Sequence, residues 1–252
     1  MKNTYILSIL DGTEDFVLKE LLEKFPNVEI QSQKSKEIVF NTEESEIEIF
    51  RKLYSPTHIQ GDGKKLNLSK RNWRKSFVPA GINPSLAYIM CMIADLKEDD
   101  IVLDPFCGAS VIPITALKYF NVKRVICSDI SGEAISKSEF NFVSTGLEIS
   151  KYRLYRSDIN KLRINKRNID KIISNLPFGI RVGNHKDNIN SYIGLESLAS
   201  RVLRKKGKII ILTQEKALVR KVFKKDIWKV KSIIRVNEGG LLPEIFEISR
   251  NY

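Results

Sequence analysis

Residues 101–110, IVLDPFCGAS, decide the fold. Three uninterrupted apolar residues suit a strand buried on both faces. Asp104, Pro105 and Gly108 then end the strand in a tight turn. The same signature repeats downstream: RVICSDI (124–130) ends near Asp129, YRLYRSD (152–158) at Asp158, and KIISNLPFG (171–179) at Asn175. Helical periodicity fills the intervals, in NPSLAYIMCMIADL (83–96), residues 113–120, GEAISKSEFNFVSTG (132–146), SYIGLESLASRVLRK (191–205) and EKALVRKVFKK (215–225). GKIIILT (207–213), WKVKSIIRV (228–236) and EIFEIS (244–249) add strands, the last two joined around Asn237, Glu238, Gly239 and Gly240. This alternation predicts a doubly wound α/β sheet over residues 78–252, closing in an antiparallel hairpin.

Residues 1–62 carry a different pattern. TYILSIL, a helix through Phe16, Leu18, Leu21, Leu22 and Phe25, the strands VEIQSQ and EIVFNT, a second helix EESEIEIFRKLYS stopped by Pro56, and a short strand at 57–60 give the β-α-β-β-α-β order of a small ferredoxin-like α+β domain. Residues 63–77 read as a linker. Its core, KKLNLSKRNWRK (64–75), holds six basic and no acidic side chains around Trp73.

Charge follows this division. The chain has 42 Lys plus Arg against 30 Asp plus Glu, net +12, yet residues 1–60 are net acidic, so the excess falls on the remainder. Between Arg201 and Arg235 there are 13 basic and two acidic residues. A field of this sign attracts polyanions, of which nucleic acid is the commonest large one. Within the linker, Lys70, Arg71 and Arg74 suit phosphate contacts, and Trp73 suits stacking on a base. Three cysteines without CxxC spacing argue against a disulfide framework or zinc cluster, and His58 and His185 stand alone, so no metal is expected. No apolar run approaches the ~20 residues of a membrane span. The N-terminus lacks a signal-peptide pattern, and the expected setting is cytoplasmic, away from membranes.

In open α/β sheets ligands bind beyond the carboxyl ends of the strands, and here those ends are acidic. Neither GxGxxG nor a P-loop is present, and an aspartate at the first turn repels phosphate. It suits a cofactor with cationic groups and no phosphate, such as S-adenosylmethionine. Asp104 and the chain from Phe106 through Cys107 and Gly108 to Ser110 are placed for the methionyl part. Asp129 is placed for the ribose and Asp158 for the adenine amine, with Ile130 and Ile159, the residues that follow them, as further cofactor contacts. NLPF (175–178) supplies what a poorly nucleophilic base amine needs. Asn175 and the Leu176 carbonyl can accept its two hydrogens, Pro177 stiffens the turn, and Phe178 can stack on the base.

SNLPFGIR, VLDPFCGAS and RNWRKSFVPAGINPSLA together resemble the THUMP-associated RNA guanine-N2-methyltransferases, over about residues 70–252. The resemblance implies a Rossmann-fold class I S-adenosylmethionine-dependent methyltransferase, with N2 of guanine in tRNA as acceptor. It makes Asn175 to Phe178 catalytic, Asp104, Asp129 and Asp158 cofactor ligands with Asn175 beside them, and places Arg181 near the target nucleotide. Two departures stand out. Ser110 replaces a glycine of the family pattern, which strains the chain if its φ is positive. No room is found for a THUMP domain between the ferredoxin-like unit and the catalytic one, so either a small activator or RNA-binding subunit supplies that grip or the substrate differs. Adenine N6 in rRNA or DNA is the alternative acceptor, and an RNA-binding protein with a degenerate methyltransferase fold the alternative class.

Overall fold

The computed structural model describes residues 2–178, 185–237 and 240–251. In the N-terminal unit, β1 (Asn3–Ser8), α1 (Glu14–Lys24), β2 (Glu29–Lys34), β3 (Glu37–Thr42), a 3-10 helix (Ile47–Lys52), β4 (His58–Gly61) and β5 (Lys64–Asn67) follow in order. The sheet runs β2-β3-β1-β4-β5, every neighbour antiparallel. Without β5 this is the ferredoxin-like order.

Two elements depart from expectation. Lys64–Asn67, expected as linker, pairs with β4 along His58 to Gly61, and Leu68 just beyond it is buried in the unit's core. The second helix is a single 3-10 segment rather than an α-helix over 43–55. The cause is Glu20, a carboxylate buried on α1. It accepts from the Tyr54 and Ser55 amides at 2.8–3.1 Å and from the Ser55 hydroxyl, and it pairs with Lys24 at 2.5 Å. Those amides are thereby drawn out of a helix, and the chain is extended at Leu53.

The larger unit begins with α2 (Pro84–Ile93), started by Asn83, whose side chain accepts from Ser85 N at 2.8 Å, and by Pro84 in its first turn. Then come β6 (Ile101–Asp104), α3 (Val111–Phe120), β7 (Arg124–Asp129), α4 (Gly132–Val143), β8 (Tyr152–Arg156), β9 (Ile169–Asn175), α5 (His185–Val202), β10 (Leu203–Thr213), α6 (Lys216–Val222), β11 (Trp228–Arg235) and β12 (Glu244–Arg250). The sheet order is β11-β12-β10-β9-β6-β7-β8. All pairs are parallel except those of β12 with β10 and β11, which are antiparallel, as the expected terminal hairpin requires. Glu238 and Gly239 of that hairpin lie outside the described residues. One apolar cluster, with Leu86, Ile114 and Phe142, covers the face of α2, α3 and α4; a second, with Tyr192, Leu195 and Val219, covers that of α5 and α6.

The chain enters at β6, runs outward through β7 and β8, and returns to β9 on the other side of β6. That reversal opens a crevice between the carboxyl ends of β6 and β9, where Asp104 and Asn175 lie.

The two units are welded at α2 and α3. Ser85 Oγ donates to the Pro56 carbonyl at 2.8 Å, and the Tyr54 ring lies 4.0 Å from that of Tyr119 and 5.3 Å from that of Tyr88. At Gly12, with φ +90°, a Cβ would stand 2.2 Å from the Arg235 carbonyl oxygen, so only glycine allows the approach. Glu20→Ala strands two amides near this junction, and a loss of about 3 kcal/mol is expected in urea unfolding. Stability within 0.5 kcal/mol of the parent would contradict that role.

Candidate active site

Asp104 ends β6 in the interior, 2% exposed. Its Oδ1 accepts from Ser174 Oγ at 2.6 Å and from Phe106 N at 3.2 Å. Burial dominates even so and, with Asp129 nearby, pushes its pKa up to about 7. A buried carboxyl so raised is a site that a cation would ionise.

The loop after it is held against β7. Cys107 N donates to Ser128 O at 2.9 Å, and Gly108 N to Asp129 Oδ2 at 2.9 Å; the other oxygen of Asp129 accepts from Ser131 N at 2.9 Å. Each carboxylate oxygen keeps a further lone pair, so Asp129 can still accept from a diol. Gly108 has φ +52°, and a Cβ there would meet Val78 Cγ2 at 3.1 Å. Cys107 is buried; its hydrogen bond with Cys127, followed by burial, holds its thiol well above the usual range, as suits a packed residue.

Ser110 departs from its expected role. It adopts the left-handed conformation, φ +59°, which costs a residue with a Cβ about 1–2 kcal/mol. Its amide donates back to Cys107 O at 2.7 Å and its hydroxyl bonds Ser138, so it shapes the loop from inside and offers no amide to a ligand.

Beyond β7, the exposed Ile130 side chain and Asp158 line one cavity of about 380 Å³ with Arg156, Ser157 and Lys161. Asp158 Oδ1 accepts from the backbone and side-chain nitrogens of Asn160 at 2.8 and 3.0 Å. Ile159, expected beside it as a ligand, is buried in the second core cluster, so its side chain packs the interior.

On the other side of the crevice, Asn175 Nδ2 donates to Ala80 O at 3.2 Å, which fixes the amide's orientation because only nitrogen can donate. The Oδ1 is consequently buried with no hydrogen-bond partner. An orphaned acceptor of this kind points to a ligand donor. The turn is braced from below: Leu176 N donates to Leu212 O at 3.0 Å, and the Pro177 carbonyl accepts from Tyr192 O–H at 3.4 Å. Phe178 is half-buried against the first cluster. Arg181 lies outside the described residues.

Residues 74–81 form a strap across this crevice, touching Gly108 through Val78 and Asn175 through Ala80. Its clamp is Asn141, a fully buried residue of α4. Asn141 Oδ1 accepts from the Lys75 and Ser76 amides at 2.9 Å, and Nδ2 donates to Ser76 O and Ala109 O at 3.0 Å. The Arg74 guanidinium stands 4.7 Å from the centre of the Phe77 ring, and Phe77 is 57% exposed. Trp73 does not fill the stacking role expected of it. It is 4% exposed, packed in the first cluster, with Nε1 donating to Tyr119 O–H at 3.2 Å. Arg71 is likewise buried, donating to the carbonyls of Leu68 and Tyr54, while Lys70 is exposed. Phe77, Asn141, Ser174 and Tyr192 were not legible as site residues. Only Asn141 left a signal, since with Ala134, Ser138 and Phe142 it falls on the buried stripe of α4, where a polar residue needs partners.

Residues 71–244 match the model of the RMKL-like methyltransferase domain. The chain belongs to that family. The chain is 28% identical over 190 residues to the mouse protein named tRNA (guanine(6)-N(2))-methyltransferase THUMP3, a match covering 69% of this chain and 37% of that one. It is 23% identical over 238 residues to the tRNA (guanine(6)-N2)-methyltransferase of Methanocaldococcus jannaschii, covering 80% of this chain and 61% of that one. The match thus spans only a third to three fifths of the length of these relatives. Among solved structures, Thermus thermophilus TrmN superposes with a TM-score of 0.84 at 16% identity over 99% of this chain and all of that one. SMU.472, a putative methyltransferase complexed with SAH, superposes with 0.79 at 14%, covering 100% and 99%. The fold is that of the class I methyltransferases.

Replacing Asp104 tests the electrostatics directly. A carboxyl whose folded pKa is raised from 3.8 to about 7 stabilises the protein fully below pH 3.8, and that contribution is lost as pH rises towards 7. Between pH 5 and 8 the unfolding free energy of the parent should therefore fall by about 2–3 kcal/mol relative to Asp104→Asn. Parallel pH profiles of the two proteins in urea titrations would refute the raised pKa.

Proposed function

We propose that this chain is an S-adenosylmethionine-dependent RNA methyltransferase that forms N2-methylguanosine, with tRNA as substrate. The single observation that carries this is the pairing of a buried carboxyl prone to ionise against a cation, Asp104, with an orphaned acceptor, Asn175 Oδ1, on adjacent strand ends. The names of the related proteins support guanine N2 over adenine N6 and an RNA acceptor.

The residues present fit the donor. Asp104 would take its ammonium, the backbone around Gly108 its methionyl part, Asp129 the ribose hydroxyls, and Ile130 and Asp158 the adenine. When bound, the donor supplies an electrophilic methyl on a positively charged sulfur. This chain's own groups do the rest by orientation. A base amine is a weak nucleophile because its lone pair is shared with the ring. Asn175 Oδ1 and the Leu176 carbonyl would accept its two hydrogens and turn the lone pair towards the methyl, while Phe178 stacks on the ring. Once methylated, the amine would lose its extra proton to water, so this chain need not supply a strong general base.

Because the base must leave its stack, the RNA has to be gripped on either side. Arg74 and Phe77 would line the mouth, and the family resemblance assigns Arg181 to the target nucleotide. We assign residues 1–68 to the N-terminal unit, a ferredoxin-like domain with β5 added, and 78–252 to catalysis, with the basic stretch between them as the RNA-facing connection. An activator subunit would supply any further grip on the tRNA. Three buried free cysteines are in keeping with a reducing, cytoplasmic setting.

Two measurements test this. RNA from a host lacking the protein, incubated with enzyme and donor and digested for mass spectrometry, should gain N2-methylguanosine; N6-methyladenosine instead would move the reaction to adenine. Asn175→Ala should lower the methyl-transfer rate about a hundredfold or more while donor binding stays within about twofold. Unchanged turnover would overturn the amine-holding role.

A further inference from the structure

A second cavity, of about 380 Å³, lies at the junction of the two units, apart from the methyl-transfer crevice. Its charged lining residues are all cations: Arg51, Lys70, Arg71 and Lys118. Asn72 and Thr145 add hydrogen-bonding groups at the rim. Arg51 is paired with Glu48, but Lys70 and Lys118 are exposed and form no ion pair among the described residues. Arg71 forms the floor. It is 7% exposed, wedged beside the Tyr54 and Tyr119 rings, and its Nε is buried without a hydrogen-bond partner. Glu20, held by Tyr54, Ser55 and Lys24, lies near enough to favour the charge of Arg71, and Glu48 pairs with Arg51, so the charge left without an ion pair is that of Lys70 and Lys118.

Like charges gathered around a recess attract an anion with several acceptor oxygens. The lysines are open to solvent, so the anion can belong to a large molecule. The chain also links this cavity to the active site. Lys70 to Trp73 line the cavity, and the same segment continues as the strap that crosses the crevice at Val78 and Ala80.

We propose that this junction cavity holds backbone phosphates of the RNA whose base enters the crevice, several nucleotides from the target. This rests on the RNA-methyltransferase function proposed above. Trp73, buried here as a wall, shapes the cavity where its sequence context suggests base stacking. The N-terminal unit then has a role in substrate binding, since Arg51 and Tyr54 come from it and Lys118 and Tyr119 from α3.

The test is Lys70→Glu with Lys118→Glu in the full chain, measured for binding to unmodified tRNA across a salt series. Lys34→Glu with Lys36→Glu, at the β2–β3 turn, serves as a control of equal charge change. The Lys70/Lys118 variant should bind RNA about tenfold more weakly at 0.1 M salt, and its plot of log Kd against log salt should be shallower by roughly 1.5. Its KM for RNA should rise, with kcat at saturating RNA and the donor Kd unchanged. RNA binding equal to that of the parent, or a loss matched by the Lys34/Lys36 control, would overturn the cavity assignment alone. A parent protein that binds the donor yet neither binds nor methylates RNA would overturn both this assignment and the function it rests on.

Discussion

A carboxyl group kept out of water at the end of the central strand is the constraint on which this structure turns. Removing a carboxylate from solvent is unfavourable, and two neutral donors, Ser174 Oγ and the Phe106 amide, do not compensate for it. Asp104 is thus a cost to the empty fold that a bound cation would remove. Everything around it serves to keep the geometry fixed: β9 supplies Ser174, the turn after β6 supplies Phe106, and Gly108 ties that turn to Asp129. The strained left-handed backbone of Ser110 is one more local penalty held in place by packing, with its hydroxyl on Ser138 and its amide on Cys107.

The crevice is completed from outside the sheet. Asn141, at the inner face of α4, satisfies all its hydrogen-bonding capacity on the strap and on Ala109, so strap and loop are tied to one side chain. The strap's Ala80 carbonyl then occupies the nitrogen of Asn175 and leaves its oxygen unpaired. A chain of backbone contacts thereby connects the linker to the group that would hold the target amine. The opposite end of the same linker joins the two units, with Arg71 donating to Tyr54 of the N-terminal unit and Trp73 to Tyr119 of α3.

Much of this was legible in the sequence. Runs such as IVL and IIIL have no other stable home than a sheet covered on both faces, and their terminal aspartates and asparagine fall where the sheet brings ends together. What stayed hidden depended on contacts distant in sequence. KKLN reads as a charged linker because its partner, β4, supplies the pairing that makes it a strand. The expected second helix is shortened because Glu20, thirty-odd residues upstream, takes the amides of Tyr54 and Ser55. Trp73 among basic residues gives the same local pattern whether its ring faces solvent or core, and only the tertiary fold, with Tyr119 beside it, decides. Ser110, a departure from the family pattern, has the positive φ that strains a residue with a Cβ, and its amide, turned inward to Cys107, takes it out of the ligand set.

The most direct measurement is the proton count on donor binding, by titration calorimetry at pH 6.5 in buffers of different ionisation enthalpy. With Asp104 titrating near 7 in the free protein, engagement of an ammonium forces it to ionise, and between about half and one proton should leave per donor bound. The release should vanish in Asp104→Asn. Tight donor binding with no proton released by the parent protein, or the same release from both proteins, would contradict the account.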